Sequence, residues 1–137
     1  MGFDRTEESR EVDCATLWKL NSEIVLIRFN DGCHLDGSDA KTVGDAAIEL
    51  FEGGKFLAII DARNMGGTVG KEASNYFAQN EKLAAHRLAQ AIVVNTLAMK
   101  LIAQFYIKVN KPRREAKIFN ELDKALAWLE TKKYLLG

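Results

Sequence analysis

The sequence predicts a single α/β domain: a mostly parallel five-stranded sheet with one antiparallel edge strand from an N-terminal hairpin, and four main helices. Three observations carry this reading. Short apolar runs bounded by turn residues alternate with longer stretches whose apolar residues recur at helical spacing, the pattern of strand–helix–strand crossovers. The first two runs are separated only by Asn21-Ser22, which joins neighbouring antiparallel strands. The chain has 137 residues, 47% of them hydrophobic, with one proline, enough for a real core without metals or disulfides.

The elements follow in order. Residues 1–14 hold an excess of acids and no periodicity, and read as a flexible acidic tail before a domain spanning 15–137. Ala15 to Leu20 alternates like an edge strand, whereas Glu23 to Phe29 is nearly continuously apolar, like a strand covered on both faces. After Asn30-Asp31-Gly32, Asp36 offers a helix N-cap with Asp39 three residues on, and Ala40, Val43, Ala47, Leu50 and Phe51 form the stripe. Gly53-Gly54 ends that helix, and Phe56 to Ile60, closed by Asp61, has the length of a buried parallel strand.

A glycine-rich loop runs from Ala62 to Gly70, and a helix follows from Lys71 with a break at Asn80 or Glu81. Ala91 to Val94 is a short buried strand. Leu97, Leu101, Ile102, Phe105 and Val109 mark the next helix, stopped by Asn110-Lys111-Pro112. Glu115 to Phe119 alternates as a half-exposed last strand, and Asn120 caps a final helix through Leu129.

Composition excludes several roles. Nineteen basic residues balance nineteen acidic ones, so the excess positive charge that drives phosphate neutralisation on nucleic acid is missing. No apolar run reaches the roughly 20 residues of a membrane span, and the N-terminus has no signal-peptide core, which points to a cytoplasmic protein. Cys14 and Cys33 make neither a secreted disulfide framework nor a zinc-site spacing. Two histidines, no nucleophile elbow and no close carboxylate pair leave catalysis without machinery, so no enzyme activity, cofactor or metal is expected.

Five short motifs occur in a fixed order: Leu17-Trp18, Arg28-Phe29, Asp61-Ala62-Arg63, Asn110-Lys111-Pro112, and Phe119 followed by Ala125-Leu126-Ala127-Trp128-Leu129. In these motifs and in element order the chain resembles the STAS-like, or SpoIIAA-like, domain of anti-sigma-factor antagonists, and within it the small uncharacterised bacterial STAS-like proteins. The resemblance implies a SpoIIAA-like fold and a regulatory module that binds another protein. In the antagonists a serine or threonine opening the second helix is phosphorylated, within Asp-Ser-Ser-Gly or Asp-Ser-Thr-Gly. Here the corresponding run is Gly66-Gly67-Thr68-Val69-Gly70-Lys71, in which only Thr68 carries a hydroxyl and no aspartate precedes it.

The candidate interaction surface is the loop after the central strand, Asp61, Arg63, Gly66, Gly67, Thr68, Gly70 and Lys71, because open α/β sheets bind ligands at the carboxyl ends of their strands. Its glycines permit positive φ and exposed N–H groups that suit an anion, with Thr68 as the N-cap of the next helix in the blander reading. The run is close to a nucleotide-binding P-loop but has the wrong glycine spacing, and Glu72 replaces the magnesium-holding hydroxyl. Asp61 alone reads as a cap for loop N–H groups. Thr68 and Ser74 are the candidate phosphorylation sites, and Lys111, Arg113, Arg114 and Lys117 form a basic patch for an acidic partner or anionic lipid. Phe105, Tyr106 and Ile107 cannot all face one core, so Phe105 and Tyr106 are candidates for self-association as a homodimer. The second functional reading is a small-molecule carrier or sensor, for a lipid or an anionic metabolite, since the fold is loosely related to lipid-binding Sec14-like domains.

Overall fold

The computed structural model describes residues 8–137. The strands are β1 (Ser9–Val12), β2 (Ala15–Lys19), β3 (Ile24–Phe29), β4 (His34–Leu35), β5 (Phe56–Asp61), β6 (Thr68–Val69), β7 (Arg87–Val93) and β8 (Ala116–Phe119). The helices are α1 (Gly37–Leu50), α2 (Lys71–Gln79), α3 (Glu81–His86), α4 (Leu97–Phe105) and α5 (Leu122–Glu130), with a π turn over Tyr106–Asn110 and a 3-10 turn over Lys133–Leu136.

Six strands form the main sheet in the order β1-β2-β3-β5-β7-β8. The β1–β2 and β2–β3 pairs are antiparallel, and β3–β5, β5–β7 and β7–β8 are parallel. Ala15 and Leu17 of β2, Val25 and Ile27 of β3 and Phe56 and Ala58 of β5 pack under α1, α2 and α4. Ile24, Leu26, Leu57, Ile59 and Val93 point to the other face, where Ala125 and Leu129 of α5 cover them. Strands buried on both faces thus serve two layers of helices, as β7, buried along its whole length, shows best.

Local signals act as the sequence implies at several joints. Asp36 and Asp39 form a reciprocal capping box, with Asp39 N–H on Asp36 Oδ1 at 2.8 Å and Asp36 N–H on Asp39 Oδ2 at 3.1 Å. Gly53, at φ +80°, closes α1 by donating to Ile48 O at 3.0 Å. Asn80 both ends α2 and starts α3, its Oδ1 accepting from Leu83 N–H at 2.9 Å.

Other expectations need correction. The acidic segment expected as a tail contributes β1, so the sheet has six strands rather than five; its residues 1–7 lie outside the described residues. Ser9–Val12 alternates exposed and half-buried, which an edge strand tolerates without an apolar signature. β7 begins at Arg87, four residues before the expected start, because Arg87 and Gln90 are buried polar residues that break the apolar run. A short parallel pair, β4 with β6, forms a second sheet from segments read as loops. The cap of α5 falls on Glu121, with no side-chain hydrogen bond, rather than on Asn120.

The apolar residues that mark α4 face outward: Leu97 is 72% exposed, Leu101 55%, Phe105 61% and Val109 54%. Met99 and Ala103 form the buried side instead. Apolar periodicity identified the helix, but a helix with apolar residues on two sides leaves the choice of buried side to packing.

Cys14 and Cys33 are joined in a disulfide, with Cα atoms 5.9 Å apart. The hairpin register explains the meeting. Ala15 pairs with Phe29, Asn30 N–H donates to Cys14 O at 2.8 Å, and the turn through Gly32 (φ +75°) brings Cys33 back to Cys14.

Candidate functional site

The site grows from one row of the sheet. Thr16 pairs with Arg28 across β2–β3, and Arg28 pairs with Asp61 across β3–β5, so their side chains share the face that α5 covers farther along. Beyond α5's reach the row opens into a cleft of about 640 Å³ lined by Thr16, Trp18, Arg28, Asp61, Arg63 and Asn64 among others. The cleft lies at the carboxyl ends of the parallel strands, where open α/β sheets bind ligands.

Asp61 is its centre and is only 2% exposed. Its Oδ2 accepts from Arg28 Nε at 3.0 Å and Arg28 Nη2 at 2.7 Å. Arg63 folds back on the same carboxylate, giving its backbone N–H to Oδ1 at 3.2 Å, Nε to Oδ1 at 2.9 Å and Nη2 to Oδ2 at 3.0 Å. Burial opposes ionisation of Asp61, but the hydrogen bonds from Arg63 and Arg28 outweigh it and hold the carboxyl below its ordinary range. The carboxylate in turn raises the already high pKa of Arg63.

Two guanidinium groups share one carboxylate, leaving the cluster one positive charge in excess. Both remain accessible, with the side chains of Arg28 and Arg63 46% and 32% exposed. Arg28 also lies over the Trp18 ring, 5.6 Å from its centroid. Beside them Asn64, at φ +59°, receives Asn95 Nδ2 on its Oδ1 and gives its backbone N–H to Asn95 Oδ1, both at 2.9 Å. Sequence reasoning named Asp61 and Arg63 but missed Arg28, Asn64 and Asn95 as site residues. The Arg28-Phe29 motif was the available signal, since a charge ending an apolar strand faces something specific.

The glycine loop is internally bonded. Gly66 N–H donates to Asp31 Oδ1 at 2.9 Å, Thr68 N–H to Cys33 O at 3.0 Å and Gly70 N–H to Leu35 O at 2.8 Å. Among the described residues, Gly66, Gly67 and Gly70 do not adopt positive φ; the left-handed residue of this loop is Asn64. Gly67 is required by contact, because a Cβ there would sit 1.9 Å from Cys33 O.

Thr68 is exposed on β6, its hydroxyl bonded to His34 Nδ1, and it does not cap α2; Gly70 holds that position with no side-chain bond. Lys71 opens α2 in solvent. Ser74 is half-buried against an apolar cavity of about 80 Å³ between the sheet, α2 and α4.

The basic patch divides. Arg113 donates to Gln79 O at 2.7 Å and Arg114 to Ala84 O at 2.8 Å, so both arginines satisfy the carbonyl ends of α2 and α3. Lys117 lies over the Phe119 ring, and Lys111, left-handed at φ +50°, ends the π turn in solvent. Phe105 is exposed, whereas Tyr106 is turned inward and its hydroxyl accepts from Gln90 Nε2 at 2.9 Å. Burial raises the Tyr106 phenol above its ordinary value. Near it, Arg87 is 3% exposed; burial lowers its pKa, its Nη2 reaches Phe77 O, and its Nε has no partner.

Comparison with known proteins places this geometry among relatives. A family model described as a domain of unknown function, DUF7793, matches residues 18–133. No curated protein matches the chain. The chain is similar to the crystal structure of an uncharacterised protein of the DUF3478 family with a SpoIIAA-like fold from Shewanella loihica PV-4, with 15% identity and a TM-score of 0.53. The match covers 90% of this chain and 92% of that one. The fold is therefore SpoIIAA-like, as the sequence motifs implied. No helix among the described residues is long and apolar enough to cross a membrane.

Proposed function

The chain belongs to this DUF7793 family, and from its site we infer that it is a non-catalytic regulatory module that binds an acidic group of a partner protein at the Arg28–Asp61–Arg63 cleft. One observation carries the reading: Asp61 receives five hydrogen bonds from two arginines whose outer faces stay open to solvent. A carboxylate so engaged, with its pKa lowered, is a poor proton shuttle at neutral pH, because it neither holds a proton nor presents a free oxygen. It is well suited to fixing two forks whose remaining N–H groups recognise a carboxylate or phosphate. The cleft volume of about 640 Å³ falls within the roughly 300–1,000 Å³ of ligand clefts.

The test uses Arg28→Ala and Thr16→Glu, the second placing a carboxylate beside Arg28 where the partner's acid would sit. Cross-linking in the native host should lose the same partner in both variants, with the melting midpoint of Thr16→Glu near wild type and Arg28→Ala destabilised by about 1–2 kcal/mol through its two lost bonds to Asp61. An unchanged partner set in both would overturn the reading.

A second reading, a small-molecule carrier, is favoured by the cavity under α2 and α4, which Phe29, Met65, Phe77, Ile92, Met99 and Ala103 line almost wholly with apolar surface. At about 80 Å³ it holds far less than a lipid. A stoichiometric co-purified ligand in native mass spectrometry would promote this reading over the first.

A further inference from the structure

The outward side of α4 is the strongest unassigned feature of the surface. Leu97, Leu101, Phe105 and Val109 recur at every fourth residue, all more than half exposed, and Ile102 beside them is 38% exposed. Soluble domains rarely expose large apolar side chains in a contiguous row without a use for it. The opposite side of the same helix is seated on the core through Met99 and Ala103, so the row is not there to fill the domain.

The charge along this stretch of the sequence is of one sign, although Arg113 and Lys82 face Glu81 and Asp45 from outside it. From Lys82 to Arg114 the sequence contains seven basic residues (Lys82, Arg87, Lys100, Lys108, Lys111, Arg113 and Arg114) and no acidic one. Lys100, Lys108 and Lys111 lie on α4 or the π turn after it, are exposed, and form no ion pair among the described residues. Arg113 and Arg114, at the same end, are held by helix carbonyls.

We propose that α4 and its π turn lie flat on an anionic lipid surface, with Leu97, Leu101, Phe105 and Val109 entering the acyl boundary and Lys100, Lys108 and Lys111 meeting the headgroup phosphates. An amphipathic helix with bulky apolar residues on one side and lysines along its flank binds in this way, its apolar area supplying affinity and its charge selecting anionic lipid. The long lysine stems extend past the apolar row to the headgroups. A second copy of the chain fits the face less well: pairing two such helices sets lysine against lysine with no carboxylate on this segment to relieve it.

The experiment is sedimentation of the full chain with vesicles of phosphatidylcholine alone and of phosphatidylcholine with about one-third phosphatidylglycerol. The protein should sediment with the anionic vesicles only and be released as salt rises from about 0.05 to 0.5 M. Phe105→Asp and the double variant Lys100→Glu/Lys108→Glu should each reduce the bound fraction about tenfold, with melting midpoints near wild type because these positions are exposed. In Phe105→Trp, brominated lipid should quench more emission than in wild type. Failure to sediment with anionic vesicles, or equal sedimentation by Phe105→Asp, would overturn the proposal. So would a wild-type dimer in light scattering that Phe105→Asp converts to monomer while vesicles leave both untouched, which would assign the face to a second copy.

Discussion

Arg63 stands two residues after Asp61 and turns back to hold it three ways, through its backbone N–H and two guanidinium nitrogens. The chain therefore leaves the central strand around a charge that it clamps itself, and Arg28 from the neighbouring strand completes the clamp. Asp61→Asn leaves the shape and removes the charge, with an expected cost of about 2–3 kcal/mol, the scale of hydrogen bonds to an ionised group. The folded pKa of Asp61 is lowered, so its contribution is present above the ordinary carboxylate range and lost as pH falls through the folded value. Urea midpoints measured from pH 7 down to acid should converge for wild type and Asp61→Asn; a gap that stays constant would show that charge is not the cause.

Arg63→Ala, by the same geometry, is not a silent surface change. It removes two of the five hydrogen bonds on a carboxylate that is 2% exposed, while the third bond from Arg63, given by its backbone N–H, remains. The expected destabilisation is about 1–2 kcal/mol, larger than a surface ion pair supplies. A Tm equal to wild type would mean that Arg28 alone satisfies Asp61.

Gly67→Ala tests the β4–β6 pair. Its Cβ would lie 1.9 Å from Cys33 O, a backbone atom that cannot swing aside, whereas a Cβ at Gly66 meets only the Asp31 side chain at 2.9 Å. Gly67→Ala should destabilise by more than about 2 kcal/mol and raise amide exchange over residues 33–35 and 67–70, with Gly66→Ala much milder. Equal effects at both positions would contradict the backbone contact.

The Cys14–Cys33 bond closes a loop with a sequence separation of 19. Chain-entropy reasoning gives roughly 3 kcal/mol for a loop of that length. The double variant Cys14→Ser/Cys33→Ser should lose stability on that scale and become insensitive to reductant. Thiol labelling of the unreduced wild-type protein should find no reactive cysteine.

Arg87 sits in the core on Phe77 O, with no carboxylate partner among the described residues. Arg87→Met keeps the volume and removes the desolvated charge, so its melting midpoint is expected to equal or exceed wild type. A drop of more than about 1 kcal/mol would show that the bond to the α2 carbonyl outweighs the burial of the charge.

Much of the architecture was legible because apolar residues set strand and helix periods locally. The capping pair Asp36 and Asp39, the break at Asn80 and the stop at Asn110-Lys111-Pro112 are short-range signals and fell where the sequence put them. What escaped depends on distant neighbours. β1 has meaning only beside β2, and β4 only beside β6, across 34 residues between His34 and Thr68. The outward turn of the α4 row was not legible because Met99 and Ala103 form a second, narrower apolar side, and it is this side that packs on the core. Half of the candidate site was readable from Asp61-Ala62-Arg63. Arg28 joined it through strand register, so the Arg28-Phe29 motif marks a charge at the strand end without showing that Asp61 is its partner.

The crowding of Gly67 by Cys33 has a bearing on how such chains are found and misread. In this chain the loop that pairs with β4 carries a residue without a side chain at its closest approach, followed shortly by α2. A string of that kind imitates nucleotide-binding signatures while answering to steric need alone, so its presence in a distant relative is evidence of a zipped loop pair before it is evidence of a phosphate.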